Sequence, residues 1–289
     1  MKQVNVYQID AFTTIPGQGN PAGVIPDGDQ YSDEEMQKIA HDIGFNECVF
    51  ICKSKQADIY LRYFTPGYET PLCGHATMAA IFYLAQAFQK DHVFKIETKA
   101  GLLDINYKHK TKAIEMQHAK PKTILFDGNK EQLCASLHIS TNDLCDLPIV
   151  YGNTGSWTLL VPVKSEAILD KMKADNEQFP SLLNAIPKSS VHPFSITDKD
   201  KYIFHARHFS SPFSKTKEDS VTGTASGVMG VYALDYIYSD IDELFLNIYQ
   251  GKQVNKEGNV KVSAIRNPNG HDIKIYGTAI FNMVLQTTI

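Results

Sequence analysis

Four side chains stand in surroundings that would give them chemistry. Glu47 lies in Phe45-Asn46-Glu47-Cys48-Val49-Phe50-Ile51, a strand-like run with almost no other polar side chain. A carboxylate desolvated there titrates nearer neutrality and suits general acid/base work. A strand-start Glu with its head in water would have no such role, and the sequence leaves both readings open. His75 opens an apolar helical run, where it can donate to a ligand, transfer a proton or merely satisfy the helix end. Asp219 precedes Thr222-Gly223-Thr224, so it either caps a helix or reaches a ligand beside that turn. Cys73 sits where a helix N-terminus would lower a thiol pKa, which permits a thiolate base. The favoured reading of Cys73 is a small buried side chain.

Two glycine turns, Leu72-Cys73-Gly74-His75 and Val221-Thr222-Gly223-Thr224, each begin an apolar helix. Helix N-termini offer free N–H groups and partial positive charge, and glycine lets a ligand come close. Two such ends facing each other would cradle a carboxylate. The expected ligand is therefore a small molecule that carries a carboxylate or similar anion. Phosphate and dinucleotide loops, a G-x-S-x-G elbow and H-E-x-x-H are all missing, which argues for chemistry without a redox or nucleotide cofactor. Cys48 and Cys52 lack a second Cys/His pair at zinc spacing, so no metal is expected.

These residues must be positioned by mostly β elements. Strand-like runs cover 4–12, 47–52, 58–64, 93–101, 102–108, 157–163, 201–209, 243–251, 260–265 and 273–285. Ser32-Asp-Glu-Glu opens a helix that Gly44 stops. His75–Ala87 and Thr224–Tyr236 read as helices apolar on most faces, which belong inside a fold. The chain also repeats itself. Gly19-Asn20 recurs as Gly152-Asn153, Ser32 as Ser165 and Arg62-Tyr-Phe64 as Arg207-His-Phe209. Gly74-His-Ala-Thr77 recurs as Gly223-Thr-Ala-Ser226, and Tyr83 as Tyr232. The order predicts an α+β fold of two pseudo-symmetric halves, each a β-sheet wrapped around a central apolar helix. The site is expected in the cleft between them. The halves fall near 1–118 and 119–278, with 119–128 as the crossover.

Composition bounds the partners. A chain of 289 residues suggests roughly two domains and needs no staple to fold. Its 28 basic and 32 acidic side chains, net −4, give no electrostatic case for nucleic acid or an anionic membrane. No apolar run approaches the ~20 residues of a membrane span. The start alternates like a strand and lacks the layout of a signal peptide. Five scattered cysteines then read as reduced and cytoplasmic.

At these residues the chain resembles the phenazine-biosynthesis PhzF-like family, which shares the diaminopimelate epimerase fold. Asp10-Ala-Phe-Thr13 with Gly19-Asn-Pro-Ala-Gly-Val24 is similar to the family's opening. Asn46-Glu-Cys-Val-Phe50 resembles its catalytic Glu segment. Arg62-Tyr-Phe-Thr-Pro66, Leu72-Cys-Gly-His-Ala-Thr77 and Glu218-Asp-Ser-Val-Thr-Gly-Thr-Ala225 resemble its two glycine-turn regions. Ser220 replaces the usual Pro, and Thr224 the usual Ser.

The resemblance implies a cofactor-independent isomerase, often a homodimer, in which Glu47 moves a proton between carbons. It further implies that His75 and Asp219 orient the substrate, with Gly74, Gly223 and Thr224 lining the site. It also implies that the last strand, 279–289, returns to the first half. Cys73 echoes the thiol of epimerases and racemases of this fold, so an amino-acid racemase is the second enzyme reading. A catalytically silent small-molecule binder is the third. The substrate and pathway are not carried over.

Overall fold

A computed structural model describes residues 2–289. The chain divides into two compact units, Met1–Gln117 with Tyr276–Ile289, and His118–Ile275. Both are α+β and strand-rich, the class that the sequence predicts.

In the first unit, β1 (Gln3–Ala11) pairs antiparallel with β2 (Asn20–Ile25). Helix α1 (Asp33–Ile43) connects β2 to β3 (Cys48–Cys52), which runs parallel to β2. Ser32 and Glu35 close a capping box, and Gly44 ends the helix at φ 74°. Asp33, Glu34 and Glu35 lie in the first turn, where exposed N–H groups favour anions. Met36, Ile39 and Ala40 bury the inner face at helical spacing.

Strand β3 pairs antiparallel with β4 (Ile59–Phe64), and the short β5 (Glu69–Thr70) precedes α2 (Gly74–Ala85). Strands β6 (His92–Thr98), β7 (Gly101–Lys108) and β8 (Ala113–Gln117) complete a meander. Helix α2 is buried continuously from His75 to Ile81 and packs on β1, β2, β3, β7 and β8. Ala76, Ala79 and Ala80 let those strands approach closely.

The second unit begins with β9 (Lys122–Leu125), α3 (Lys130–Ser136), β10 (Val150–Asn153) and β11 (Trp157–Pro162). Helices α4 (Glu166–Lys171) and α5 (Phe179–Leu182) lead to β12 (Ser190–Asp198), parallel to β11. Then come β13 (Ile203–Ala206), α6 (Gly223–Tyr236), β14 (Glu243–Gln250), β15 (Gly258–Asn267) and β16 (Gly270–Gly277). Helix α6 is buried on nearly every face and packs on β10, β11, β14 and β15.

The two units share side-chain detail. Arg62 donates through Nε and Nη2 to the two oxygens of Glu69, both at 2.9 Å. Arg207 does the same to Glu218 at 2.9 and 2.7 Å. Each guanidinium lies over the ring two residues on, Phe64 at 5.2 Å and Phe209 at 4.6 Å. Cys48 pairs with Phe64 in one unit, and Val191 bridges to Phe209 in the other.

Several elements differ from their sequence-based expectation. The run at 273–285 is two strands, β16 and β17 (Ala279–Thr288), and β17 pairs antiparallel along β1. At the break Phe12 N donates to Thr278 O at 2.7 Å. A Cβ on Gly277 would meet Phe12 and Met78 at 2.6 Å, so glycine is required there. The stretch 119–128 is more than a connection, because β9 pairs with β10. The run at 201–209 shortens to β13, since Tyr202 takes a positive φ and Phe209 returns only as an isolated bridge. Ser165 stands at the N-cap of α4, but its hydroxyl makes no capping bond.

Candidate active site

Glu47 immediately precedes β3, and its carbonyl accepts from Gly23 N at 3.3 Å, which ties the segment to β2. This placement lies between the two readings of the sequence: the side chain is half-buried rather than inside an apolar strand or fully solvated. Its Oε2 lies 3.3 Å from His75 Nε2. His75 is the second residue of α2 and is 8% exposed. On its other edge, Nδ1 lies 3.4 Å from the Cys73 Sγ.

Cys73 is the N-cap residue of α2, with extended backbone and no side-chain capping bond. It is buried, as expected, but against a polar neighbour rather than among apolar side chains alone. A carboxylate oxygen, the thiol sulfur and an imidazole nitrogen all lie within 4.8 Å of one another. A Cβ at Gly74 would meet nothing within 4 Å, so open space fronts the start of the helix. Beside the site, burial and the Glu47 charge push the Cys48 thiol up to about 12, so Cys48 is inert near neutral pH.

Asp219, Gly223 and Thr224 lie in the second unit. Asp219 does not cap α6; Thr222 is the N-cap residue. The Thr222 hydroxyl donates to Asp219 Oδ2 at 2.6 Å, and Asp219 N donates to His208 O at 2.9 Å. Gln250 completes the arrangement. Its Nε2 donates to Asp219 O at 2.8 Å, while its Oε1 accepts from Thr222 N at 3.2 Å. The Thr224 hydroxyl meets that of Ser156 at 3.0 Å.

Sequence reasoning missed Gln250. Leu244, Leu246, Ile248 and Gln250 are the inward positions of β14, so a polar residue continuing an apolar alternation was the available signal. It also missed His192 and His208, whose Nδ1 atoms lie 3.1 Å apart in the interior of this unit. Burial holds both imidazoles below their ordinary pKa, His192 well below, with the Asp219 charge partly offsetting the effect at His208.

The shared registers expose an asymmetry. Val191 faces Phe209 as Cys48 faces Phe64, so Ser190 stands where the first unit has Glu47. Glu218 pairs with Arg207 as Glu69 pairs with Arg62, and the chain then reaches Thr222-Gly223-Thr224 where the first unit has Cys73-Gly74-His75. Hydroxyls in one unit thus replace carboxylate, thiol and imidazole in the other.

A family model described as phenazine biosynthesis-like protein matches residues 9–284. The chain is 44% identical to an uncharacterized isomerase, YfhB, of Bacillus subtilis (strain 168), covering 98% of each chain. It is 31% identical to a trans-2,3-dihydro-3-hydroxyanthranilate isomerase of Pseudomonas aeruginosa, covering 78% of this chain and 77% of that one. It is similar to the crystal structure of a Bacillus anthracis phenazine biosynthesis protein of the PhzF family, with TM-score 0.95, 44% identity and full coverage of both chains. A family match over nearly the whole length, with these relatives beside it, shows that the chain belongs to the phenazine biosynthesis-like, PhzF family.

Proposed function

We propose that this isomerase moves a proton between two carbons of a small carboxylated metabolite, with Glu47 as the group that takes and returns it. The observation that carries the reading is the Glu47–His75 contact of 3.3 Å at the start of α2. A C–H bond ionises slowly, so its base must be held at the carbon and not left to diffuse. Attachment to β2 and contact with His75 hold this carboxylate. The electron pair left by the proton moves along the conjugated substrate, and the carboxylic acid then delivers the proton at a second carbon. The N–H groups at the start of α2 suit the substrate carboxylate. Asp219, Gly223 and Thr224 enter this reading as substrate-orienting groups.

The racemase reading rests on the Cys73 thiol, 3.4 Å from His75 Nδ1. Inversion by opposed thiols needs a second one, and its counterpart position is Thr222, already bonded to Asp219. A single carboxylate acting on both carbons fits the asymmetry better.

The test uses wild type and Glu47→Gln, which keeps shape and hydrogen bonding but cannot accept the proton. The first substrate is trans-2,3-dihydro-3-hydroxyanthranilate, followed by other small carboxylates with acidic C–H bonds, assayed by isomerisation and solvent-deuterium uptake. General acid/base catalysis is typically worth 10²–10⁴-fold, so a loss of at least about a hundredfold is expected. A variant that keeps more than about a tenth of wild-type turnover overturns the mechanism.

A further inference from the structure

Glu47, Cys73 and His75 are also a set of metal donors. We propose that they form a site for one borderline-soft divalent cation of the Zn²⁺ class, and that its binding silences the isomerase. The metal-binding half of this proposal does not depend on the isomerase reading.

The geometry is close to what such an ion needs. Tetrahedral Zn²⁺ binds thiolate at about 2.3 Å and imidazole or carboxylate at about 2.0–2.2 Å, which sets neighbouring donors roughly 3.3–3.6 Å apart. His75 Nε2 lies 3.3 Å from Glu47 Oε2 and 4.0 Å from Cys73 Sγ. The thiol must move about half an ångström toward Nε2 to reach that spacing, and all three donor atoms already lie within 4.8 Å of one another. The three side chains come from two anchored segments, the strand start at Glu47 and the first turn of α2, so the donors are pre-positioned.

The donor chemistry selects the ion. One sulfur and one imidazole nitrogen suit Zn²⁺, Cd²⁺ or Co²⁺, whereas Mg²⁺ and Ca²⁺ prefer an all-oxygen shell. Two of the donors are anionic when bound, which balances the charge of a divalent cation. The thiol proton is released to solvent as the metal–sulfur bond forms. The helix N-terminus disfavours a bare cation but favours the thiolate that captures it. Three protein ligands leave a fourth position for water. The bound ion occupies the Glu47 lone pair, so a proton can no longer be accepted there.

The experiment titrates chelator-treated protein with Cd²⁺ and follows the ultraviolet thiolate-to-metal charge-transfer band. One equivalent should saturate it, Zn²⁺ should compete, and a large excess of Mg²⁺ should not. Cys73→Ser, shown folded by circular dichroism, should lose the band. Cys145→Ser, which alters the half-buried thiol of the other unit, should keep it. Glu47→Gln and His75→Gln should each weaken binding by at least about tenfold. A band that persists in folded Cys73→Ser, or disappears in Cys145→Ser, overturns the site. So does unchanged affinity in both Glu47→Gln and His75→Gln. Should Cys73→Ser not fold, the latter two variants decide. Full turnover of the metal-saturated protein would overturn the inhibitory role alone.

Discussion

The Thr222 hydroxyl donates to Asp219 Oδ2 at 2.6 Å, at the position where the first unit carries the Cys73 thiol. The same helix-start residue therefore fixes a carboxylate in one unit and meets an imidazole in the other.

Thr222→Val should remove one hydrogen bond to the Asp219 side chain and loosen it while preserving α6, because Gln250 still accepts from the backbone N–H of residue 222. A hydrogen bond to a charged group is worth about 1.5–3 kcal/mol, which sets the ceiling, so substrate KM should rise by up to about a hundredfold. Steady-state kinetics provide the check. An unchanged KM in folded protein would show that the Thr222 bond does not hold Asp219 for the substrate.

Cys73→Ser should keep turnover within about tenfold of wild type in metal-free buffer, because the proposed proton carrier is Glu47. If this variant is inactive while Glu47→Gln still turns over, the thiol is the base and the racemase reading takes its place.

Arg207 should contribute more to stability than Arg62. Besides Glu218 it donates to Leu169 O at 2.8 Å and Met172 O at 2.9 Å, so it satisfies carbonyls at the end of α4. Arg62 instead makes its further bond to Asp33, which is 73% exposed. Arg207→Met leaves a nearly buried carboxylate and two carbonyls without this donor, a loss of about 3–5 kcal/mol. Arg62→Met should cost less. Urea denaturation of both variants measures the ranking, and equal or reversed losses would contradict it.

Stability should fall as pH drops below about 6.5. His192 and His208 have folded-state pKa values pushed below the ordinary imidazole value, and the surrounding protein holds His118 at about 4. Below about 6.5 the unfolded chain binds protons that these folded side chains refuse, so their contribution is complete above that pH. It is lost as pH falls toward each folded value, by up to about 1.4 kcal/mol per pH unit per imidazole. Urea midpoints at pH 7, 6 and 5 should show this slope. His192→Val, which installs the side chain found at the matching position 49, should reduce it. A slope equal to that of wild type would exclude His192 as a source.

The sequence by itself determined the local elements and the half of the site that local spacing encodes. Ser32, Glu35 and Gly44 specify α1 because capping bonds and a left-handed terminus involve neighbouring residues. The apolar runs after Gly74 and Gly223 could only be interior helices, and Cys73 and His75 are juxtaposed within one helix start. Tertiary structure alone decided the rest. Glu47 reaches His75 because β3 packs against α2, a relation between segments 28 residues apart that no local period records. Gln250 reaches Asp219 from β14, and Arg207 reaches the end of α4, because strand register selects which side chains point inward. The same registers place Ser190 where the first unit has Glu47, so two similar units carry different side chains at matching positions.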